Sequence, residues 1–188
     1  MTKNLHRWLS IFSRKSKEEI KFLFLKKHKK VSFKDIKLGN YNHFIIDPDI
    51  QILKIDHAAS LRNFIHIFVG KKASLEIGKN FFMNNFCSIN CLESISVGDN
   101  TLFGENVKLY DHNHHYETTP DFKIHPNQFN TEPITIGNNC WLGSNVTVLK
   151  GVSIGDNCII GAGCVIYKDV PSNTILINRQ ELISKSSI

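Results

Sequence analysis

Three histidines fall within four residues in the stretch Leu109-Tyr110-Asp111-His112-Asn113-His114-His115-Tyr116-Glu117, directly after an acidic residue. An imidazole titrates near neutrality, so it can accept a proton from a hydroxyl while that hydroxyl attacks an electrophile. A sugar hydroxyl needs such help, because it is a poor nucleophile when protonated. Metal ligation is a second reading, since His112 and His114 offer two imidazoles and zinc takes imidazole readily. The plainest reading is three loop histidines without chemistry. Asp111 either orients a neighbouring ring or caps the loop through its own backbone.

The elements around this cluster are unusually regular. Stretches such as Ile77-Gly78-Lys79-Asn80, Val97-Gly98-Asp99-Asn100 and Ile136-Gly137-Asn138-Asn139 repeat an apolar residue, Gly, any residue, then Asn or Gly. From Ile136 the apolar position recurs every six residues: Ile136, Leu142, Val148, Ile154, Ile160, Ile166. Three residues after each lead stand Asn139, Asn145, Gly151, Asn157, Gly163 and Asp169, types that tolerate positive φ and mark corners. One residue later comes a second small apolar position (Cys140, Val146, Val152, Cys158, Cys164, Val170). Two inward residues per six, flanking a tight corner, describe short flat strands in a repeat architecture. The expected fold is all-β, a parallel β-helix whose coils stack about 4.8 Å apart.

An upstream half runs in another phase through Ile77, Met83, Ile89, Val97, Phe103 and Leu109. The step from Ile89 to Val97 is eight residues, which puts a bulge near Leu92 to Ser94. Residues 111–133 carry no repeat and form an extruded loop, the kind of insertion that usually serves function. The expected organisation is a basic, helical N-terminal segment over 1–44, the β-helix over 45–172 and a tail over 173–188.

Charge is segregated. Residues 1–37 hold 12 Lys or Arg against 3 Asp or Glu, and the rest hold 11 against 14, within a net +6. The N-terminal part, with Trp8, Ile11, Phe12, Phe22 and Leu25 among lysines, reads as amphipathic. It either covers the open end of the β-stack or touches an anionic membrane face. Nucleic acid is not expected, since no recognition motif accompanies the charge. With no apolar run long enough to span a membrane and no signal-peptide pattern, a cytoplasmic location is expected. The five cysteines, four at inward repeat positions, read as small buried hydrophobes, and the lack of a Cys-x2-Cys pair argues against a zinc cluster.

The stretch Pro133-Ile134-Thr135-Ile136-Gly137-Asn138-Asn139-Cys140-Trp141-Leu142-Gly143, with Ile160-Gly161-Ala162-Gly163 and Lys168-Asp169-Val170-Pro171, resembles the bacterial hexapeptide-repeat acetyltransferases. The closest group looks like the galactoside, maltose and nodulation-type sugar O-acetyltransferases and their polysaccharide-modifying relatives, over residues 75–172. That resemblance implies a left-handed coil, a homotrimer with sites between subunits, acetyl-CoA as donor and a carbohydrate acceptor, with no metal. It makes His112 the first choice as general base and His114 the second, leaving His115 towards solvent. It implies acceptor contacts from Asn85 and Trp141, and backbone amides at Ser144 and Ala162 near the thioester and pantetheine. Lys150, Lys168 and Arg179 are implied for the CoA phosphates.

The chain departs from the family after Pro171, where Ser172-Asn173-Thr174-Ile175 replaces a Gly-x-Pro-Ala segment. This bears on Arg179 and favours the polysaccharide-modifying branch, hence a surface glycan or its precursor. Three rivals remain. A γ-carbonic-anhydrase-like lyase would need further histidines on later coils, and none follows His125. A non-catalytic scaffold would not bind CoA. An N-acetyltransferase on an amino-sugar nucleotide would use the same base and donor.

Overall fold

The computed structural model describes residues 29–179. The amphipathic reading of residues 1–28 and most of the proposed tail lie outside them. Three parallel sheets form the sides of a prism, with strands numbered along the chain. Face one stacks β1 (Val31–Phe33), β4 (Ile52–Ile55), β7 (Ser74–Ile77), β10 (Ser94–Val97), β15 (Ile134–Ile136) and β18 (Ser153–Ile154). Face two stacks β2 (Lys37–Leu38), β5 (Ser60–Leu61), β8 (Phe82–Met83), β11 (Leu102–Phe103), β16 (Trp141–Leu142), β19 (Ile159–Ile160) and β21 (Ile175–Leu176). Face three stacks β3 (His43–Ile46), β6 (His66–Val69), β9 (Ser88–Cys91), β12 (Lys108–Tyr110), β17 (Thr147–Val148) and β20 (Val165–Ile166). The described residues thus form an all-β parallel solenoid.

The six-residue period explains the burial. Ile136, Leu142, Val148, Ile154, Ile160 and Ile166 all point inward and are buried, as are Cys140, Val146, Val152, Cys158, Cys164 and Val170. Each large aliphatic so placed contributes about 1.5–3 kcal/mol of apolar burial. Corners follow the expected chemistry: Asn139, Asn145, Asn157, Gly151 and Gly163 have positive φ. Along the edge between faces one and two, Asn80, Asn100, Asn139, Asn157 and Asn173 form a ladder. Each side-chain amide donates to the next Oδ1 at 2.9–3.1 Å. Asp169 corrects the pattern. It is not a positive-φ corner; its carboxylate accepts the Ser153 N–H at 2.7 Å, and the left-handed residue that follows Gly163 is Asn173.

Three further expectations change. The solenoid begins at Val31 rather than 45, so residues 31–44 form strands β1 to β3 instead of a helical segment. Its period there is 22 residues, against 18 later, because the early corners hold longer, less regular sequence. At the other end β21 continues face two beyond residue 172. The loop at 111–133 is an antiparallel hairpin of β13 (His112–Glu117) and β14 (Lys123–Thr131), leaving the edge between faces three and one. The repeat glycines follow from the stacking of the coils. A Cβ on Gly137 or Gly143 would lie 2.7 Å from a backbone nitrogen of the next coil, so tight coil stacking excludes a side chain. Among the described residues no helix is long and apolar enough to cross a membrane.

Candidate functional site

The Asp111 side chain is fully buried where the hairpin leaves the prism. Its carboxylate accepts the Leu92 N–H at 2.8 Å and the Glu93 N–H at 2.8 Å, the two amides at the bulge expected there. The same carboxylate lies 3.0 Å from His112 Nδ1. Asp111 thus contacts the two corner amides and the imidazole at once. An acceptor-only carboxylate at Nδ1 makes that nitrogen the donor and leaves the Nε2 lone pair free as a base. The ring is held edge-on by Phe129 at 5.2 Å and 84°, and Tyr110 approaches at 6.4 Å and 87°.

His114 lies on the same side of β13, exposed, with its ring 4.8 Å from Phe129. It has no carboxylate partner comparable to Asp111 among the described residues. His115 keeps a side chain 36% exposed. It is half-buried on the opposite side of the hairpin, beside Asn130, Glu117 and His125.

A second constellation occupies another edge, between faces two and three. Asn63, Asn85, Glu105, Ser144 and Ala162 stack there coil upon coil, linked by Phe86 N–H to Asn63 O, Asn106 N–H to Asn85 O, Asn145 N–H to Glu105 O and Gly163 N–H to Ser144 O. Several amides in this column are capped by a side chain of the next coil: Asn63 N–H donates to Asn85 Oδ1 at 3.1 Å and Glu105 N–H to Ser144 Oγ at 3.3 Å. Ser144 faces Ala162, whose methyl offers no acceptor. Among the described residues neither the Ser144 nor the Ala162 N–H has a hydrogen-bond partner. Two open amides on neighbouring coils of one edge are donors of the kind that can stabilise a developing oxyanion or hold an amide-bearing arm. Trp141 stands half exposed on face two, between Leu102 and Ile159 of the adjacent coils.

Asn85 is tied into this column. Its Oδ1 accepts from Asn63, and its Nδ2 donates to Glu105 Oε1 at 3.4 Å. Phe86 takes the positive-φ corner beside it, φ 62, where Asn or Gly is easier. Its ring stacks on Phe64 at 5.0 Å, and Phe64 on Tyr41 at 5.0 Å. The three aromatic corners are one ladder, which sequence spacing did not reveal because the early coils are irregular.

The cationic candidates divide. Lys150 is ion-paired with Glu132 at the foot of the hairpin. Lys168 lies over the Tyr167 ring at 5.7 Å and lines a cleft with Leu176, Ile177 and Asn178. Arg179 follows Asn178, whose Nδ2 donates to Gly163 O at 3.3 Å, so it sits near the Ala162 corner.

The two constellations are not together within one chain. Face three runs from Asn106 to Asp111 between them, roughly 16 Å at about 3.3 Å per extended residue. His112 meets an edge carrying Asn85 and Ser144 only if that edge belongs to another copy.

The family model for the hexapeptide repeat of succinyl-transferase matches residues 133–168. Galactoside O-acetyltransferase of Escherichia coli K12 is 37% identical over 111 residues, covering 58% of this chain and 52% of that protein. A protein of the same strain named for lipopolysaccharide biosynthesis O-acetyl transfer is 35% identical over 103 residues, covering 52% and 53%. A solved galactoside acetyltransferase in complex with coenzyme A superposes with a TM-score of 0.52 at 28% identity, covering 89% of this chain and 70% of that one. The chain spans about half the length of the curated relatives it matches. With its six-residue coils and extruded hairpin, the chain is a hexapeptide-repeat β-solenoid that is similar to these acetyltransferases.

Proposed function

We propose that the protein is an acetyl-CoA-dependent O-acetyltransferase acting on a sugar hydroxyl of a surface glycan or its precursor, with His112 as general base. The observation that carries the proposal is the His112–Asp111 pair, whose free Nε2 is presented at the foot of the hairpin. The named relatives that transfer acetyl groups to sugars, and the coenzyme A complex of a similar structure, support the donor and acceptor classes.

In this reading His112 Nε2 takes the acceptor proton as the oxygen attacks the thioester carbonyl of acetyl-CoA. The tetrahedral oxyanion is met by the open Ser144 amide. Collapse breaks the carbon–sulfur bond, and the thiolate leaves with the proton held by the imidazolium. The products are an acetyl ester and free CoA thiol, and the proton count closes. Ala162 N–H suits an amide-bearing pantetheine arm, and Lys168 with Arg179 suits its phosphates. Lys150 would have to leave Glu132 to join them. Asn85 and Trp141 line the acceptor side. The assembly is a homotrimer in which the hairpin of one copy faces the Asn85–Ser144–Ala162 edge of the next, held in the cytoplasm with its basic N-terminus towards the inner membrane face.

Thiol release from acetyl-CoA, measured against a panel of glycans and amino-sugar nucleotides, tests this. A glycan should accelerate release and gain an alkali-labile ester, and His112→Ala should reduce the rate about 10²–10⁴-fold. Amide formation on an amino sugar would replace O-transfer by N-transfer. Wild-type turnover by His112→Ala would remove the base assignment.

A further inference from the structure

The far side of the hairpin carries a group that acetyl transfer does not use. His115 and Glu117 alternate onto one side of β13, and His125 faces them from β14. The pairing shifts between His114 and His115: His114 lies opposite Phe129, and His115 opposite His125. The extra residues 126–128 therefore bulge out of β14. A bulge re-aims side chains, and here it sets the two imidazoles face to neighbouring face, with centroids 5.3 Å apart.

We propose that His115, Glu117 and His125 form a binding site for a zinc-class divalent cation that staples the two arms of the hairpin. One ligand atom from each residue lies within 4.8 Å of the others. His125 Nε2 is 3.0 Å from Glu117 Oε1 and His115 Nε2 is 3.9 Å from it. Ligands about 2.0–2.2 Å from a tetrahedral zinc stand roughly 3.3 Å apart, so these separations bracket the required value. Asn130 gives the second sign. Its Oδ1 lies 3.3 Å from His115 Nδ1, which makes that nitrogen the donor and leaves Nε2 with its lone pair towards Glu117. A ring nitrogen fixed from behind by an oxygen acceptor is how metal-bound histidines are held.

Two imidazoles and one carboxylate suit zinc, cobalt or nickel rather than magnesium or calcium, which prefer oxygen ligands. A fourth position stays open to water. The site is distinct from His112 and His114, which occupy the other side of β13. Its effect is to fix the hairpin that holds Phe129 against both of those rings, and it is independent of the transfer reaction.

The test uses the full-length protein after chelator treatment, titrated with ZnCl2 by calorimetry and with CoCl2 by visible absorption. The wild type should bind one equivalent per chain, with cobalt giving the visible bands of a nitrogen- and oxygen-ligated ion. His115→Ala combined with His125→Ala should weaken binding at least about 100-fold, and Asn130→Ala about 10-fold. His43→Ala with His66→Ala removes the other close pair among the described residues, whose rings are 5.5 Å apart, and should leave the titration unchanged. Circular dichroism of the metal-free variants checks folding, and Glu117→Gln supplies a shape-conserving variant expected to lose affinity too. Equal binding by the wild type and the His115/His125 variant, or no one-to-one binding by the wild type, would overturn the proposal.

Discussion

The Asp111 carboxylate serves two structures at once, the bulge amides of Leu92 and Glu93 and the His112 ring. Removing it leaves buried donors without an acceptor, which costs about 1–3 kcal/mol for each unsatisfied group. Asp111→Ala should therefore lower the thermal midpoint as well as turnover. Asp111→Asn keeps the shape and an acceptor oxygen, so it should keep most of the stability while reducing kcat with little change in KM. Parallel melting curves and kinetics separate the two effects. Asp111 and His112 were both legible in the sequence, as neighbours at the point where the repeat breaks. Their joint geometry was not, because it depends on amides 18 and 19 residues upstream. The His115–His125 opposition was hidden for a similar reason, since it requires a bulge that changes the register of the hairpin.

The coils owe their order to corners and inward positions that repeat with them. Asn139 has φ 55, accepts one ladder bond from Asn100 and donates one to Asn157. Asn139→Ala should cost about 2–3 kcal/mol, from roughly 1 for each of the two lost bonds and up to about 1 for losing the local amide hydrogen bonding that lets Asn adopt the left-handed region. Asn139→Gly should cost less, and chemical denaturation of the two variants measures the difference. The cysteines report on the same coils. Burial pushes the Cys87 thiol up to about 11, and burial with the nearby Asp111 charge raises Cys91 as well. At pH 8 a thiol of that kind is ionised in only about one molecule per thousand. A thiol-titrating disulfide reagent should find the five cysteines unreactive in the native protein and all five reactive once it is unfolded. Rapid reaction of Cys87 in the native state would contradict its burial. The later coils were readable from residue types alone, since Ile136 to Ile166 keep a strict six-residue step. The first coils were not: Tyr41, Ala58, Phe64 and Lys72 take left-handed corners that Asn or Gly would have announced.

The molecule presents the two halves of the proposed site on two edges of one prism, with His112 on one and the open Ser144 and Ala162 amides on another. Nothing in the spacing of residues along the chain could reveal that separation, because it appears only when the coils are wound. A shared site between copies reconciles the two edges, and it makes a prediction that single-chain catalysis does not. Closed rings of identical subunits repeat the same head-to-tail contact, so each contact would join His112 of one copy to Asn85 of its neighbour. His112→Ala and Asn85→Ala damage opposite sides of that contact. When the two variants are unfolded together, refolded as mixed assemblies and assayed for acetyl-CoA turnover, about a quarter of the contacts should carry both native residues under random mixing. Activity rising to roughly that share of the wild-type rate, above either variant alone, is the expected result. A mixture no more active than its parents, while mass measurement shows mixed assemblies present, would contradict a site built between copies.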